Sequence, residues 1–295
     1  MKRLRLSLLC LSLATLSAAG CKRTQGAAAG EGQRIQDIGS DTMVNLAQAW
    51  AEAYAAAHPG VSVEVSGGGS GVGIAALING TADIANSSRK LEPAELERAK
   101  QAGREPAEHV VGYDGLAIYV HKNNPLEQIS IEQLSQIYAE NGKIDSWSAL
   151  GVKVPGAKSD EIVRVSRQNN SGTYAYFREH VVGKKSDFKF GSLDMNGSKE
   201  VVELVGRTPG AIGYSGVGYA TPAVKVLRVS KTKDGPAVLP SLQTVQDKSY
   251  PISRPMFLFT PPNPPRHVTD YLHWVTSEPG QKIVEATGYV PLSKG

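Results

Sequence analysis

Cysteine is nearly absent from this chain. Only Cys10 and Cys21 occur among its 295 residues, so once an N-terminal leader is removed no internal disulfide can form. An excess of charge is lacking too. The formal net charge is +4, yet residues 1–20 carry Lys2, Arg3 and Arg5 and no acid. Taking those three from the 32 basic residues leaves 29 against 28 acidic ones. Such a balance, with no basic run interleaved with aromatics, gives no support for a nucleic-acid partner. After the leader no stretch is apolar enough to cross a membrane. Catalytic signatures are also missing: there is no Gly-x-Ser-x-Gly elbow and no Gly-x-x-x-x-Gly-Lys-[Ser/Thr] loop. His58, His109, His121, His180, His267 and His273 show no metal-ligand spacing. No cofactor, metal or catalytic residue is expected.

What is present begins with a basic start, an apolar core from Leu6 to Leu13, and small residues leading to Cys21. This is the pattern of a signal peptide over 1–20. Leu16-Ser17-Ala18-Ala19-Gly20-Cys21 resembles a bacterial lipobox, in which Cys21 would be lipidated, although Ala18 stands where Leu or Val is usual; an ordinary cleaved signal is the alternative. Residues 21–33, rich in Ala, Gly and polar side chains, read as a flexible tether. The folded body is therefore expected outside the cytoplasm, held to a membrane by a lipid.

From Ile35 onward strands and helices alternate, which predicts an α/β fold with largely parallel sheets. Short strands are expected at Ile35–Ile38, Val61–Val65, Ala82–Ala85, Leu116–Val120, Ile162–Val165, Ala211–Tyr214, Val226–Val229 and Met256–Phe259. A helix capped by Asp41 or Thr42 is expected through about Ala57, with Met43, Ala47, Trp50 and Tyr54 as its apolar stripe. Ser66 to Gly73 reads as a glycine-rich turn before a helix carrying Ile74, Leu77 and Ile78. Pro93 opens a charged helix to about Ala102, and Ile131–Tyr138 is helical. The last helix carries Tyr271, Trp274 and Val275.

The segment most suggestive of function is Arg167-Gln168-Asn169-Asn170-Ser171-Gly172-Thr173. It follows a strand and precedes a helix with Tyr174, Phe177 and Val181 at helical spacing. Two hydroxyls, backbone N–H groups and a permanent cation thus meet at a helix start, which suits an oxyanion. Three other turns share that chemistry: Gly39-Ser40-Asp41-Thr42, the Ser66–Gly73 run with Ser70 and Gly71, and Asn86-Ser87-Ser88-Arg89. In parallel α/β sheets such turns gather where ligands bind. Glycine lets the backbone approach an anion, hydroxyls add neutral donors, and Arg167 supplies a charge-assisted contact. Taken alone, each turn could be an ordinary cap or surface loop.

These turns, in this order and joined by Pro209-Gly210-Ala211-Ile212-Gly213-Tyr214, resemble the phosphate-binding proteins of bacterial phosphate ABC importers, the PstS type. The resemblance runs from about Ile35 to the C-terminus. It implies a type II periplasmic binding-protein fold: two α/β lobes, a two-strand hinge and phosphate in the cleft between them. Lobe I would comprise 34–118 and 248–295, lobe II 119–247. The implied ligand contacts are Ser40, Asp41, Thr42, Ser70, Gly71, Ser88, Arg89, Arg167, Ser171, Gly172 and Thr173, with Arg89 equally able to face water.

In one respect the chain departs from the family. Some members carry, at the position of Ser88, an aspartate that accepts a phosphate proton and so rejects sulfate; Asp41 is the expected substitute. The implied function is phosphate capture by a monomer and delivery to membrane permease subunits. The alternatives are another oxyanion (sulfate, molybdate or tungstate), an exported adhesin or sensor, or a phosphatase using Ser70 or Ser171.

Overall fold

The computed structural model describes residues 32–293. The expected signal peptide, Cys21 and nearly all of the tether lie outside the described residues. The chain starts with β1 (Gln33–Gly39), α1 (Val44–Ala57), β2 (Val61–Ser66), α2 (Ser70–Asn79), β3 (Ile84–Ser87) and α3 (Pro93–Gln101). Both β2 and β3 pair parallel with β1. Ile84 packs with Ile35, Trp50 and Tyr271 on one face, while Ala85 packs with Ile74, Leu77 and Phe257 on the other. Covering of both faces explains why a strand as polar as Ile-Ala-Asn-Ser is wholly buried.

A 15-residue strand, β4 (Ala107–His121), then leaves this layer. Beyond it come β5 (Gln128–Ser130), α4 (Ile131–Tyr138), β6 (Val163–Arg167), α5 (Gly172–Phe177), β7 (Leu193–Met195), α6 (Ser198–Arg207), β8 (Ala211–Gly216), β9 (Val224–Val226), β10 (Arg228–Ser230) and α7 (Leu242–Gln246). Helix α5 continues into a π-helical segment, Arg178–Gly183. The return is made by β11 (Ser253–Thr260), followed by α8 (Arg266–Thr276) and α9 (Glu278–Ala286). The principal sheet runs β2-β1-β3-β11-β4-β8-β6-β7, with β9 also on β4, and β5 and β10 form a separate pair.

Strand β4 joins two lobes because it changes partner along its length. Ala107 to Gly115 pair with β11, whereas Leu116 to Val120 pair with β8. Beside that switch the second connection crosses, with the Leu116 N–H donating to Ile252 O (2.9 Å) and the Tyr250 hydroxyl to Leu116 O (2.8 Å). Phe177, Tyr214, Tyr138 and Trp147 centre the core of the far lobe. Phe177 stacks on Tyr214 at 3.8 Å between ring centroids.

Several expectations need correction. The sheet is mixed rather than largely parallel, because β11 and β4 run antiparallel to their neighbours. Neither Asp41 nor Thr42 caps α1; Met43 occupies that position without a side-chain cap. Helix α2 begins at Ser70, inside the run expected to be a turn. Val226–Val229 is two strands divided at Leu227, whose N–H turns back to Ile118 O (2.9 Å). The terminal helix is two, broken where Ser277 precedes Glu278-Pro279.

Candidate functional site

Four of the turns singled out in the sequence converge between the lobes. Ser40 and Thr42 follow β1, Ser70 begins α2, Ser88 follows β3, and Ser171 to Thr173 lead into α5. Ser40, Thr42, Ser70, Ser88, Ser171 and Thr173 are each at most 2% exposed. Their hydroxyls form short chains. Ser40 Oγ donates to Ser88 Oγ at 3.0 Å, Ser70 Oγ lies 3.5 Å from Ser88 Oγ, and the Ser88 N–H donates to Ser70 Oγ at 3.1 Å. Across the cleft, Thr42 Oγ1 meets Thr173 Oγ1 at 2.7 Å. Gly172 lies so close that a Cβ there would sit 2.3 Å from Ser70 Oγ and 2.6 Å from Ser88 Oγ. Its lack of a side chain is what lets the second lobe's backbone meet both serines.

Asp41 and Arg167 also join the lobes. Asp41 Oδ2 accepts from Arg167 Nη2 at 2.9 Å, and Oδ1 accepts from the Gly68 N–H at 2.9 Å. Arg167, 1% exposed, further donates to Ser198 Oγ (3.1 Å) and Asn196 O (2.9 Å), while its Nε has no partner. Burial pulls its pKa below the ordinary guanidinium range, against the attraction of Asp41. Asn196 and Ser198 were not visible as site residues in the sequence, since they belong to the next strand–helix junction, between β7 and α6.

Ser171 has a supporting role. Its Oγ accepts the N–H groups of Thr173 (3.1 Å) and Tyr174 (3.3 Å), capping α5. Gly71 lies on the flank, its N–H donating to Asn170 O at 3.0 Å, while Asn170 Nδ2 reaches Gly68 O at 2.9 Å. Gly69, between these contacts, has φ +96° and would place a Cβ 2.7 Å from Asn170 O. Two constraints thus require glycine there: the left-handed backbone and the approach of the other lobe.

Arg89 is not gathered into the cluster. Its guanidinium grips Glu95 through two bonds of 2.7 and 2.8 Å and donates to Lys90 O at 2.9 Å. The cause is local. Glu95 is the third residue of α3 and also accepts the Glu92 N–H, so a nearly buried carboxylate stands ready within reach.

A residue not singled out in the sequence lies against the cluster. Arg254, 1% exposed on β11, donates to Thr173 Oγ1 at 2.9 Å and Thr42 Oγ1 at 3.4 Å. Its Nε and Nη2 both bind Oδ2 of Asp114, its cross-strand neighbour on β4, at 3.0 and 2.8 Å. In the sequence it stands between Ser253 and Pro255, ahead of the strand expected at Met256–Phe259, with nothing beside it to mark a ligand. One flank of the cleft opens into a cavity of about 1070 Å³ lined by Ser88, Arg89, Tyr176, His180 and Arg254.

Two lobes joined by crossing strands, with anion-adapted turns buried between them, define a solute-binding protein of the periplasmic type. Comparison with known proteins agrees. A family model described as a PBP superfamily domain matches residues 24–279. The phosphate-binding protein PstS of Pseudomonas aeruginosa is 33% identical over 276 residues, covering 90% of this chain and 85% of that protein. PstS of Staphylococcus saprophyticus is 30% identical over 271 residues, covering 90% and 82%. Among solved structures, one from Clostridium perfringens, described as a phosphate ABC transporter substrate-binding protein with bound phosphate, superposes with a TM-score of 0.78. It is 31% identical and covers 88% of this chain and 100% of its own. The chain belongs to the PBP superfamily and, within it, to the PstS-type phosphate-binding proteins.

Proposed function

We propose that the protein is an extracytoplasmic receptor that captures inorganic phosphate between its lobes and presents it to the membrane subunits of an ABC importer. The observation that carries this reading is the buried cluster of hydroxyls contributed by both lobes, with Arg167 bound to Asp41 next to it. Neutral donors surround a small tetrahedral anion without holding it as tightly as a cluster of bare cations would, and Arg167 contributes a charge-assisted contact. Because these groups are buried, a ligand reaches them only when the lobes part, and bonds between lobes then favour the closed form. Ser40, Asp41, Thr42, Ser70, Gly71, Ser88, Arg167, Ser171, Gly172 and Thr173 make or support the site in this reading, and Arg89 braces α3.

A receptor suits the serines better than a hydrolase. Ser171 Oγ is engaged as a cap, and Ser70 Oγ accepts a backbone N–H. Neither has a hydrogen-bonded histidine or carboxylate among the described residues, the partner that activates a nucleophilic hydroxyl. Asp41, facing Arg167 at the cleft, is the carboxylate proposed to accept a phosphate proton and so disfavour sulfate. Cys21 is proposed to carry the lipid that holds the monomer at the outer side of a membrane.

A thermal-shift series with phosphate, sulfate, arsenate, molybdate and tungstate tests the reading. Phosphate, and arsenate as its closest analogue, should raise the midpoint by mass action. A flat response to all five would refute the receptor assignment, and a larger response to sulfate would refute the phosphate assignment. Unchanged discrimination in Asp41→Asn would refute the role given to Asp41.

A further inference from the structure

We propose that Arg254 is a second cationic ligand of the captured anion, carried by the hinge strand itself. The inference rests on the cleft being the phosphate site.

Arginine offers five N–H donors in one plane, arranged as a fork. In Arg254 the edge formed by Nε and Nη2 faces Asp114 Oδ2, at 3.0 and 2.8 Å. Nη2 also reaches Thr173 Oγ1 at 2.9 Å. That contact directs the outer end of the fork, which Nη2 shares with Nη1, towards the interlobe hydroxyls. Nη1 itself is buried and has no partner. Leaving a buried charged donor unsatisfied is costly, because its desolvation is not repaid by a new hydrogen bond. Such a cost is tolerated where the donor's acceptor arrives with a ligand.

Neighbouring groups exclude two simpler explanations. The Tyr176 ring lies 5.5 Å from the guanidinium carbon. A cation–π attraction at that range acts on the guanidinium charge as a whole and supplies no hydrogen-bond acceptor to Nη1. Nor is Arg254 explained as the counter-ion of Asp114 alone, since Nε and Nη2 already complete that pair.

The position couples binding to closure. Asp114 is the cross-strand partner of Arg254 where the two connecting strands run side by side. Thr42 belongs to the first lobe and Thr173 to the second, and both lie within reach of the same Nη2. Tyr176, one turn into the second lobe's helix, donates its hydroxyl to Ser253 O, the residue preceding Arg254, at 2.6 Å. An anion oxygen on Nη1 would tie the hinge, both threonines and the ligand into one network. The cleft would then hold two cations, each with its own carboxylate: Arg167 with Asp41 and Arg254 with Asp114.

A crystal structure of the wild-type protein grown with phosphate provides the first test, and titration of Arg254→Lys the second. Lysine keeps the charge for Asp114 but loses the fork. In the complex, Nη1 is expected within about 3.2 Å of a phosphate oxygen. Arg254→Lys should bind phosphate about 10- to 100-fold more weakly, the scale of one charge-assisted hydrogen bond. Its guanidinium signal, assigned in the spectrum of 15N-labelled wild type by its loss in this variant, should shift on phosphate addition. Phosphate bound with Nη1 facing water or Tyr176, or a variant with wild-type affinity and a lowered ligand-free melting point, would overturn the proposal. Absence of phosphate binding by the wild type would instead overturn the function on which it rests.

Discussion

Asp37 should make the stability of the protein fall as pH rises from mildly acidic to neutral. This carboxyl, on β1, is fully buried beneath the turns that carry Ser40 and Ser88. Its Oδ1 accepts from Asn86 Nδ2 at 2.8 Å, but Oδ2 has no partner, and neither have Asn86 Oδ1 and the Tyr271 hydroxyl. Burial pushes the pKa from 3.8 up to about 7, against the pull of the Asn86 bonds. The unfolded chain therefore loses this proton near the ordinary carboxylate value, while the folded chain keeps it to about neutrality. Between those limits the folded state binds the extra proton, so stability falls as pH rises; below and above that window the contribution is flat. At about 1.4 kcal/mol per unit, the loss between roughly pH 5 and pH 7 approaches 3 kcal/mol.

Asp37→Asn removes the titration and keeps an acceptor for Asn86. Melting of both proteins at about pH 5 and about pH 8 should show the variant gaining on the wild type at the higher pH. For a chain of this size about 3 kcal/mol corresponds to roughly 6 to 12 °C. Parallel changes in the two melting points would show that Asp37 is ionised in the folded state throughout, and the reasoning from burial would fail.

Gly69→Ala should hinder closure, because its Cβ would sit 2.7 Å from Asn170 O at a backbone φ of +96°; titration should show weakened phosphate binding and small-angle scattering a reduced compaction on phosphate addition. Tyr138→Phe should lower stability by about 1–2 kcal/mol without altering phosphate affinity. Its hydroxyl joins Val165 O (3.2 Å) and Ile212 O (3.0 Å) away from the cleft, and urea unfolding beside calorimetric titration separates the two effects. Gly172→Ala should abolish binding while leaving the ligand-free lobes folded, since its methyl would enter the space of Ser70 and Ser88 Oγ; circular dichroism and titration check the two halves of that statement.

Much of this site could be read from the chain because its chemistry is local. Ser40, Ser70, Ser88 and Thr173 each lie beside a glycine, a strand end or a helix start, so a few neighbouring residues announce each turn. Arg254 and Asp114 could not be found that way. They stand on different strands 140 residues apart and meet through the antiparallel register of β11 and β4. The same long-range pairing made the sheet mixed where strand–helix alternation suggested parallel strands. Arg89 erred in the opposite direction: beside Ser88 it looked like a ligand, but Glu95, six residues on, offers a closer and nearly buried partner. Asp41 and Thr42 looked like helix caps because capping and anion binding use the same residue types. Their side chains turn to the second lobe instead, to Arg167 and Thr173.

Calorimetric titration of the purified protein with phosphate and with sulfate, repeated on Arg167→Gln, decides whether the cleft holds phosphate through this arginine. One phosphate per chain should bind, sulfate should compete poorly, and the variant should lose about 100-fold or more in affinity, since a buried charge-assisted contact and its bond to Asp41 disappear together. Absence of phosphate binding by the wild type, or undiminished binding by Arg167→Gln, would contradict an oxyanion site built on this arginine and the hydroxyls of both lobes.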